Sequence, residues 1–568
     1  MVADVGRLLV AAGAPERVAP QVVTALGADA AELLAGDPWA LLGVPGFGPE
    51  QADLYARGAL AGAWAAEDPR RVRAIVMWLL RRAARQGDTA IEADAVRTAL
   101  ARFEVGDPDT ALRAILAEGR VMAFAAAGPA GGADEYTEGG GDHPDGDPDG
   151  GDFDDDFDDE FMEPDELAAA GGVLLALDDY ALAEEAIAEA VVRLLSTVEP
   201  WPEIGDGKLD RALNTTGVVL YAAGPGEEPP AAVLAAAASA RAAGLRVALV
   251  APTTDGRSRL GEGALGLREL AALERGPDGT LELDLLVVTD ATLLDVTAAA
   301  AIFEAVPDGA RLLLAGDAAG LESTGPGRVF TDLAATGMLR ALVAPVVPQG
   351  PLEGLADGIR DGRLPPIQDP DRRVVLVPAQ TGEEAAHRCA QLVADSIPRA
   401  IGIAAADVLV VAPLATGPAG ATALNVALKA RLNPGPGIDV GDRVVRVAPD
   451  GGTGVVQGVV REALPDGRVV VSFGSDAPEA LRPEALRHGW ALTARQSLGV
   501  RRPGAVVVLP AEGAEAYTRA LMYTLVTRGE RHVSIVHAAG PALAAAVAAE
   551  PTRHRVTHLQ QALREAAG

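Results

Sequence analysis

Val218-Val219-Leu220-Tyr221-Ala222-Ala223-Gly224-Pro225-Gly226-Glu227-Glu228-Pro229-Pro230 is an apolar run of strand length that breaks into a Gly-Pro-Gly turn, with an alanine-rich stretch after it. An apolar run of roughly 4–8 residues closed by Gly or Pro reads as a buried strand. The same unit recurs outward from this one at Val247–Val250, Leu285–Val288 and Arg311–Ala315, with helical stretches between. Strands that alternate with helices fold as a parallel α/β sheet, because a parallel pair needs a long crossover. A second set runs through Val374–Val377, Val408–Ala412, Ala505–Leu509 and Val533–Val536. Within it, Gly441-Asp442-Arg443-Val444 through Val469-Val470-Val471-Ser472-Phe473, with a Pro465-Asp466-Gly467 turn, reads as a small β-barrel insertion at about 438–480.

Upstream the pattern changes. Residues 1–125 read as short amphipathic helices, and Leu41-Leu42-Gly43-Val44-Pro45-Gly46-Phe47-Gly48-Pro49 carries a helix-hairpin-helix signature. There Gly46 and Gly48 permit the tight turn, Phe47 anchors it, and amides entering the next helix can meet a DNA phosphate. Val44, Gly46, Phe47 and Gly48, with Arg70, Arg71 and Arg73 nearby, form the candidate DNA contact, one that reads phosphates and not bases. Residues 126–166 are a different material. Between Asp134 and Glu166 stand 17 acidic residues and no Lys or Arg, so this stretch supplies about half of the net charge of -32. Its composition predicts a disordered linker. Such a charge run reads first as a plain solvating linker; its charge density also suits a tethered competitor for DNA surfaces, and Phe153, Phe157 and Phe161, spaced four apart, a docking peptide for DNA-processing proteins. From Val173 to Leu195 a helical pattern returns as the lead-in to the first α/β set.

Other features exclude function classes. The single cysteine, Cys389, allows no internal disulfide. The apolar stretches are far shorter than the roughly 20 residues that span a bilayer, and the amino terminus lacks a signal-peptide pattern. A cytoplasmic protein with no membrane segment is expected. His554 and His558 fall in a polar carboxy-terminal helix and read as surface residues, not as a metal site.

The order of features resembles the long, RecD-like form of superfamily 1 DNA helicases. Val250-Ala251-Pro252-Thr253 with Arg259-Leu260 is similar to the motif after the family's second strand. Leu314-Ala315-Gly316-Asp317 with Gly325-Pro326-Gly327 resembles its third motif, and Tyr523-Thr524-Leu525-Val526-Thr527-Arg528 its last. Ala412-Pro413, Leu424-Asn425 and Leu432-Asn433-Pro434 resemble the opening of the second motor domain. The resemblance implies a helix-hairpin-helix region at 1–125, the acidic linker at 126–166, a first RecA-like domain at 167–340 and a second at 341–568, the latter holding an SH3-like insertion.

It also implies an ATP site, and there the residues depart from the pattern. At the four fixed positions of GxxxxGK[ST] stand Ala223, Glu228, Pro229 and Pro230, although Gly224 and Gly226 survive inside the loop. Two prolines remove two amide donors along with the Lys and Ser/Thr side chains. Leu285–Val288 runs into Thr289-Asp290 where the family has Asp-Glu, Gly320 replaces a Gln, and Pro348-Gln349 replaces Arg-Gln. Thr493-Ala494-Arg495-Gln496-Ser497-Leu498-Gly499 stands where the family has T-V-H-K-S-Q-G, and Arg528 alone keeps its form. The expectation drawn is a helicase-derived DNA-binding scaffold or regulator with no catalytic residues, no ATP and no Mg²⁺. Two other readings stand beside it: an active ATP-dependent five-prime to three-prime helicase, and a protein-interaction module without DNA binding.

Overall fold

The structure, a computed structural model, describes residues 1–60, 62–125, 172–227, 229–344, 350–367, 369, 371–446, 455–474, 477–549 and 554–568. The acidic stretch with Phe153, Phe157 and Phe161 therefore lies outside the described residues, as do Glu228 and Pro348. The chain divides into two units, Met1–Ala83 with Thr89–Ala181, and Ala84–Asp88 with Leu182–Gly568.

The first unit is a helical cluster with a small sheet. Each helix buries one stripe, as Val5 and Leu9 do in Val2–Ala11 and Leu112 and Ile115 in Pro108–Leu116. The sheet is antiparallel, with strand order β1 (Ala90–Glu92), β3 (Val173–Leu177), β2 (Val121–Ala125). This corrects the helical reading of 173–177. Val173-Leu174-Leu175-Ala176-Leu177 is apolar at every position and buried at every position, so it shows no period that separates strand from buried helix. The helix begins only at Asp178 and runs to Ser196.

The second unit holds two parallel five-stranded sheets. The first has the order β5 (Val247–Val250), β6 (Leu285–Val288), β7 (Arg311–Gly316), β4 (Val218–Ala222), β8 (Arg340–Val343), every pair parallel. All residues of β6 and β7 are buried. The helix Ala231–Ala242 covers the sheet with Val233, Ala236, Ala237 and Ala240, spaced as one face of an α-helix. The chain leaves β4 toward β5 on one side and later crosses back to β8 on the other, so the loop after β4 sits at a topological switch point, where open α/β sheets place their ligands.

Next come β9 (Val374–Pro378) and β10 (Val408–Ala412), followed by the insertion. Its strands are β11 (Arg443–Arg446), β12 (Gln457–Ala463), β13 (Val469–Phe473), β14 (Glu479–Leu481) and β15 (Leu486–His488), in the order β14-β13-β12-β11-β15 and antiparallel throughout. The sheet closes on its own core of Val444, Val460, Val471 and Phe473, and it extends past residue 480 to His488. The second parallel sheet resumes with β16 (Ala491–Thr493), β17 (Arg502–Leu509) and β18 (Gly529–His537), in the order β16-β10-β17-β18-β9. The root of the insertion is an ion cluster. Lys429 Nζ donates to Asp439 at 2.6 Å and to both oxygens of the fully buried Asp442 at 2.7 and 2.8 Å.

The carboxy-terminal segment is held just as firmly. Arg555 donates to the carbonyls of Ser323, Gly325 and Gly327, while Asp332 accepts from Thr557 and Gln560, each at 2.8 Å. The surface role expected for His558 fails for this reason. His558 is buried at the start of the helix Leu559–Ala567, and its amide donates to Glu184 at 3.0 Å. Among the described residues no three His, Cys, Asp or Glu side chains form a metal-ligand group, and no single helix is long and apolar enough to cross a membrane.

Burial pushes the His558 imidazole down from 6.5 to about 4. As pH falls through that window the unfolded chain takes up a proton that the folded chain refuses, so stability present above the unfolded pKa is lost at up to about 1.4 kcal/mol per pH unit. Urea unfolding of the natural chain and of His558→Gln at about pH 7 and about pH 5 is expected to show a smaller pH loss in the variant. Equal losses in both would contradict this account.

Candidate nucleotide and nucleic-acid sites

The loop after β4 is tied to the end of the neighbouring strand by the Ala223 amide, which donates to the Gly316 carbonyl at 2.9 Å. Gly224-Pro225-Gly226-Glu227 then makes a turn closed by Glu227 N donating to Gly224 O at 3.1 Å, with Gly226 at φ +72°. Proline second and a positive-φ glycine third are the demands of a type II turn. The Glu227 carboxylate folds back to accept from the Gly224 amide at 3.4 Å. Pro229 and Pro230 precede the first helical residue, with Pro230 extended at φ -63° and ψ 129° as the helix cap. The side of the loop facing the second sheet meets Arg501. Its Nη1 donates to the Gly226 carbonyl at 2.6 Å and its Nε to the Thr527 carbonyl at 3.0 Å, beside a cavity of about 290 Å³.

The other strand ends converge on the same cleft. Thr289 is buried and its amide donates to Val250 O at 3.0 Å. Asp290 is held in the left-handed region at φ 52°, next to Gly256, where a Cβ would come within 2.4 Å of its Oδ2. Asp317, after β7, accepts from the Tyr523 hydroxyl at 2.5 Å, and the Leu321 amide donates to Thr524 Oγ1 at 2.7 Å. Gly320 lies under that contact: a Cβ there would approach Thr524 Oγ1 to 3.1 Å. The family's longer side chain is replaced where the last motif's helix packs close. Arg528 is 5% exposed, and its guanidinium donates to the Thr524 carbonyl at 2.9 Å and to Thr527 Oγ1 at 3.1 Å.

Asp255 clasps the cleft from the first sheet's side. It accepts from the Arg502 guanidinium at 2.7 Å and the Arg501 amide at 3.2 Å, and it pairs with Arg259 at 3.4 Å. Thr253 caps this helix, its hydroxyl accepting from Gly256 N at 3.1 Å. Arg443, close to Arg502, is pushed down to about 10 by burial and by its cationic neighbour. Asp255, Arg501, Arg502 and Tyr523 were not among the expected site residues. The Arg501-Arg502 pair, one residue past Gly499, is the sequence signal that marks them.

In the first unit the hairpin is built as expected, but its neighbours differ. Gly46 takes φ +87°, Val44 is buried, and the Phe47 carbonyl accepts from Trp78 Nε1 at 3.1 Å. Gly48 caps the helix Pro49–Ala59, its amide donating to Gln51 Oε1 at 2.9 Å. Arg71 leaves the set of phosphate-facing candidates. It is 3% exposed, and its Nε and Nη2 bind the two oxygens of Asp53 at 2.8 and 2.7 Å. Against the upward push of burial, the Arg71 guanidinium and the Trp39 indole hold the Asp53 carboxyl below its usual range. Arg70 pairs with Asp68 at 2.7 Å and Arg73 with Glu118 at 3.3 Å, both half-exposed.

Residues 1–90 match the family model described as the ATP-dependent RecD2 DNA helicase HHH domain, and residues 210–365 match an AAA domain. The chain is 29% identical over 334 residues to the ATP-dependent RecD2 DNA helicase of Deinococcus radiodurans, a match that covers 55% of this chain and 46% of that protein. Against the RecBCD enzyme subunit RecD of Mycobacterium tuberculosis it is 27% identical over 450 residues, 64% of this chain and 76% of that one. The chain is a homologue of the RecD2 and RecD helicases. It spans about half the length of the Deinococcus relative. A Pif1 helicase from Bacteroides solved with ADP-AlF3 and ssDNA overlays at 12% identity and a TM-score of 0.34, covering 56% of this chain and 88% of that one, a score at which the overlay bears no functional argument. The homology overturns the expectation of a scaffold that has lost its motor. The relatives are helicases by name, the AAA match runs straight through the altered loop at 223–230, and nothing in these matches marks a loss of activity.

Arg71→Met removes one partner of a buried pair and leaves Asp53 uncompensated, an expected loss of about 3–5 kcal/mol in urea unfolding. Arg73→Ala, which removes a half-exposed partner, is expected to cost at most about 1 kcal/mol. Equal costs for the two would return Arg71 to the surface.

Proposed function

We propose that the chain is a DNA helicase of the RecD type, coupling ATP hydrolysis to five-prime to three-prime movement on single-stranded DNA. The observation that carries this reading is the homology to RecD2 and RecD, which runs through a helix-hairpin-helix region and an AAA domain in the family's order. Two parallel sheets with their strand ends facing one cleft supply the matching frame.

The altered residues dictate how such a site works. Both lysines of the chain lie outside the loop: Lys208 precedes β4, and Lys429 is bound to Asp439 and Asp442. Positive charge at the phosphates must then come from arginine, and Arg501 at the Gly226 carbonyl and Arg528 beyond it are the nearest. A phosphate also needs the Gly224 amide, so Glu227 has to swing away from it. Asp290 keeps one carboxylate for a cation. DNA is contacted through its phosphates, at the Gly46–Gly48 hairpin and along Thr253 and Arg502, so binding is set by salt and not by sequence. The acidic stretch serves as a further contact for DNA-processing proteins.

ATP hydrolysis with and without single-stranded DNA, together with strand separation on a five-prime-tailed duplex, is the test. Hydrolysis stimulated by DNA is expected, falling by roughly 10³-fold in Arg528→Ala. Glu227→Gln is expected to lower KM for ATP, because it weakens the acceptor that holds the Gly224 amide. A natural chain that neither hydrolyses ATP nor separates strands would overturn the proposal.

A further inference from the structure

At the β9 edge of the second sheet, away from the strand ends that line the cleft, the helix Gly382–Gln391 passes through a π-helical turn, Leu392–Ser396, into Ile397–Ala400. Such turns re-aim side chains and concentrate at functional positions. Beside this one lies a cavity of about 390 Å³, walled by Val375, Leu392, Ile397 and Ile401. Two polar side chains of β18 also line it, His532 and Ser534, each 1% exposed.

The hydrogen-bond order of this pair follows from its chemistry. His532 Nδ1 lies 2.7 Å from the Arg372 carbonyl, which can only accept, so Nδ1 carries the proton. Burial lowers the affinity of the ring for a second proton. Nε2 is therefore an acceptor, and the Ser534 hydroxyl, 2.8 Å away, donates to it. With its hydrogen committed, Ser534 Oγ offers the cavity lone pairs alone. Arg372 presents its carbonyl from a left-handed backbone conformation, φ 56°, which is costly for a residue with a side chain. Its own side chain is exposed. The Asp369 carboxylate nearby accepts from the Asp371 and Val374 amides at 3.0 and 2.7 Å. Deep among the walls formed by Leu392, Ile397 and Ile401, beside the buried His532 and Ser534, burying a ligand charge would be unfavourable.

We propose that this cavity binds an uncharged, mainly apolar small molecule of about bicyclic size that donates one hydrogen bond to Ser534 Oγ. The site is independent of the helicase reading, since no strand end of the nucleotide cleft contributes to it. The probe is indole, whose single N–H is its only donor, compared with 1-methylindole, which keeps the ring and lacks the donor. Calorimetric titration of the full chain is expected to give saturable indole binding about 10-fold tighter than that of 1-methylindole. Ser534→Ala is expected to make the two equal. Ala400→Trp, an exposed position on the cavity's rim, is expected to abolish both. Absence of saturable indole binding, equal affinity for the two probes in the natural chain, or binding that survives Ala400→Trp would each overturn the proposal. Should either variant fail to fold, the comparison of the two probes on the natural chain decides.

Discussion

A parallel sheet has to be covered on both faces, and most of the second unit follows from that demand. Every residue of β6, β7 and β10 is buried, and apart from Arg311 at the start of β7, whose guanidinium donates to the Leu213 carbonyl, their side chains are apolar. The polar groups that face the cleft sit where the first-sheet strands stop. Ala223 to Glu227, Thr253 to Asp255, Thr289 to Asp290 and Asp317 to Gly320 all lie at carboxyl ends of first-sheet strands, and the face opposite is formed by Arg501, Tyr523 and Arg528. The alanine-rich helices answer the same demand: Ala236, Ala237 and Ala240 leave a flat surface that lies close against the sheet.

Charge is arranged around the cleft by a few arginines against one carboxylate. In a chain with a net charge of -32, the Arg259 and Arg502 guanidiniums gather on Asp255, which also accepts from the Arg501 backbone amide. These contacts are partly shielded from water, so their strength exceeds that of an exposed pair, which contributes about 0–1 kcal/mol. Yet most of the donors end on backbone carbonyls, such as Arg501 on Gly226 and Arg528 on Thr524. A carbonyl is a weaker partner for a guanidinium than a phosphate is. An arginine held by carbonyls alone gives up less when it changes partner than one paired with a carboxylate.

The strands were legible because burial on both faces writes itself as short unbroken apolar runs, and the two α/β sets were located from those runs alone. Val173–Leu177 shows the limit of the same signal, since five apolar residues without polar neighbours hold no period, and only pairing with β1 and β2 makes them a strand. Arg71 was misread for a different reason. A sequence displays a charge but not its counter-charge, and Asp53 stands 18 residues away on another helix. His558 likewise sits among polar neighbours in the chain while lying buried in the fold. The expectation of a lost motor rested on motif positions alone, and the homology to the RecD2 and RecD helicases runs against it. Motif positions record which side chains a loop carries. They do not record which cations the other sheet brings to it, and Arg501 reaches the loop from 275 residues downstream.

The same reasoning bears on the amino-terminal hairpin, where the amide that would meet a phosphate already has a partner. Gly48 N donates to Gln51 Oε1 in a capping arrangement, which satisfies one of the donors a helix start leaves open. A phosphate entering the hairpin replaces a neutral side-chain acceptor by a charged one, and the gain is the difference between the two bonds, not the full strength of the new one. A hydrogen bond to a charged group contributes about 1.5–3 kcal/mol and a neutral one about 0.5–1.5, so the exchange gains on the order of 1 kcal/mol per amide. Glu50, in the first turn of the same helix, opposes that gain with its own charge. On these magnitudes a phosphate at this hairpin would be held weakly, at a single point. The hairpin's geometry is fixed in advance by Gly46 and by the Phe47 carbonyl, which accepts from Trp78.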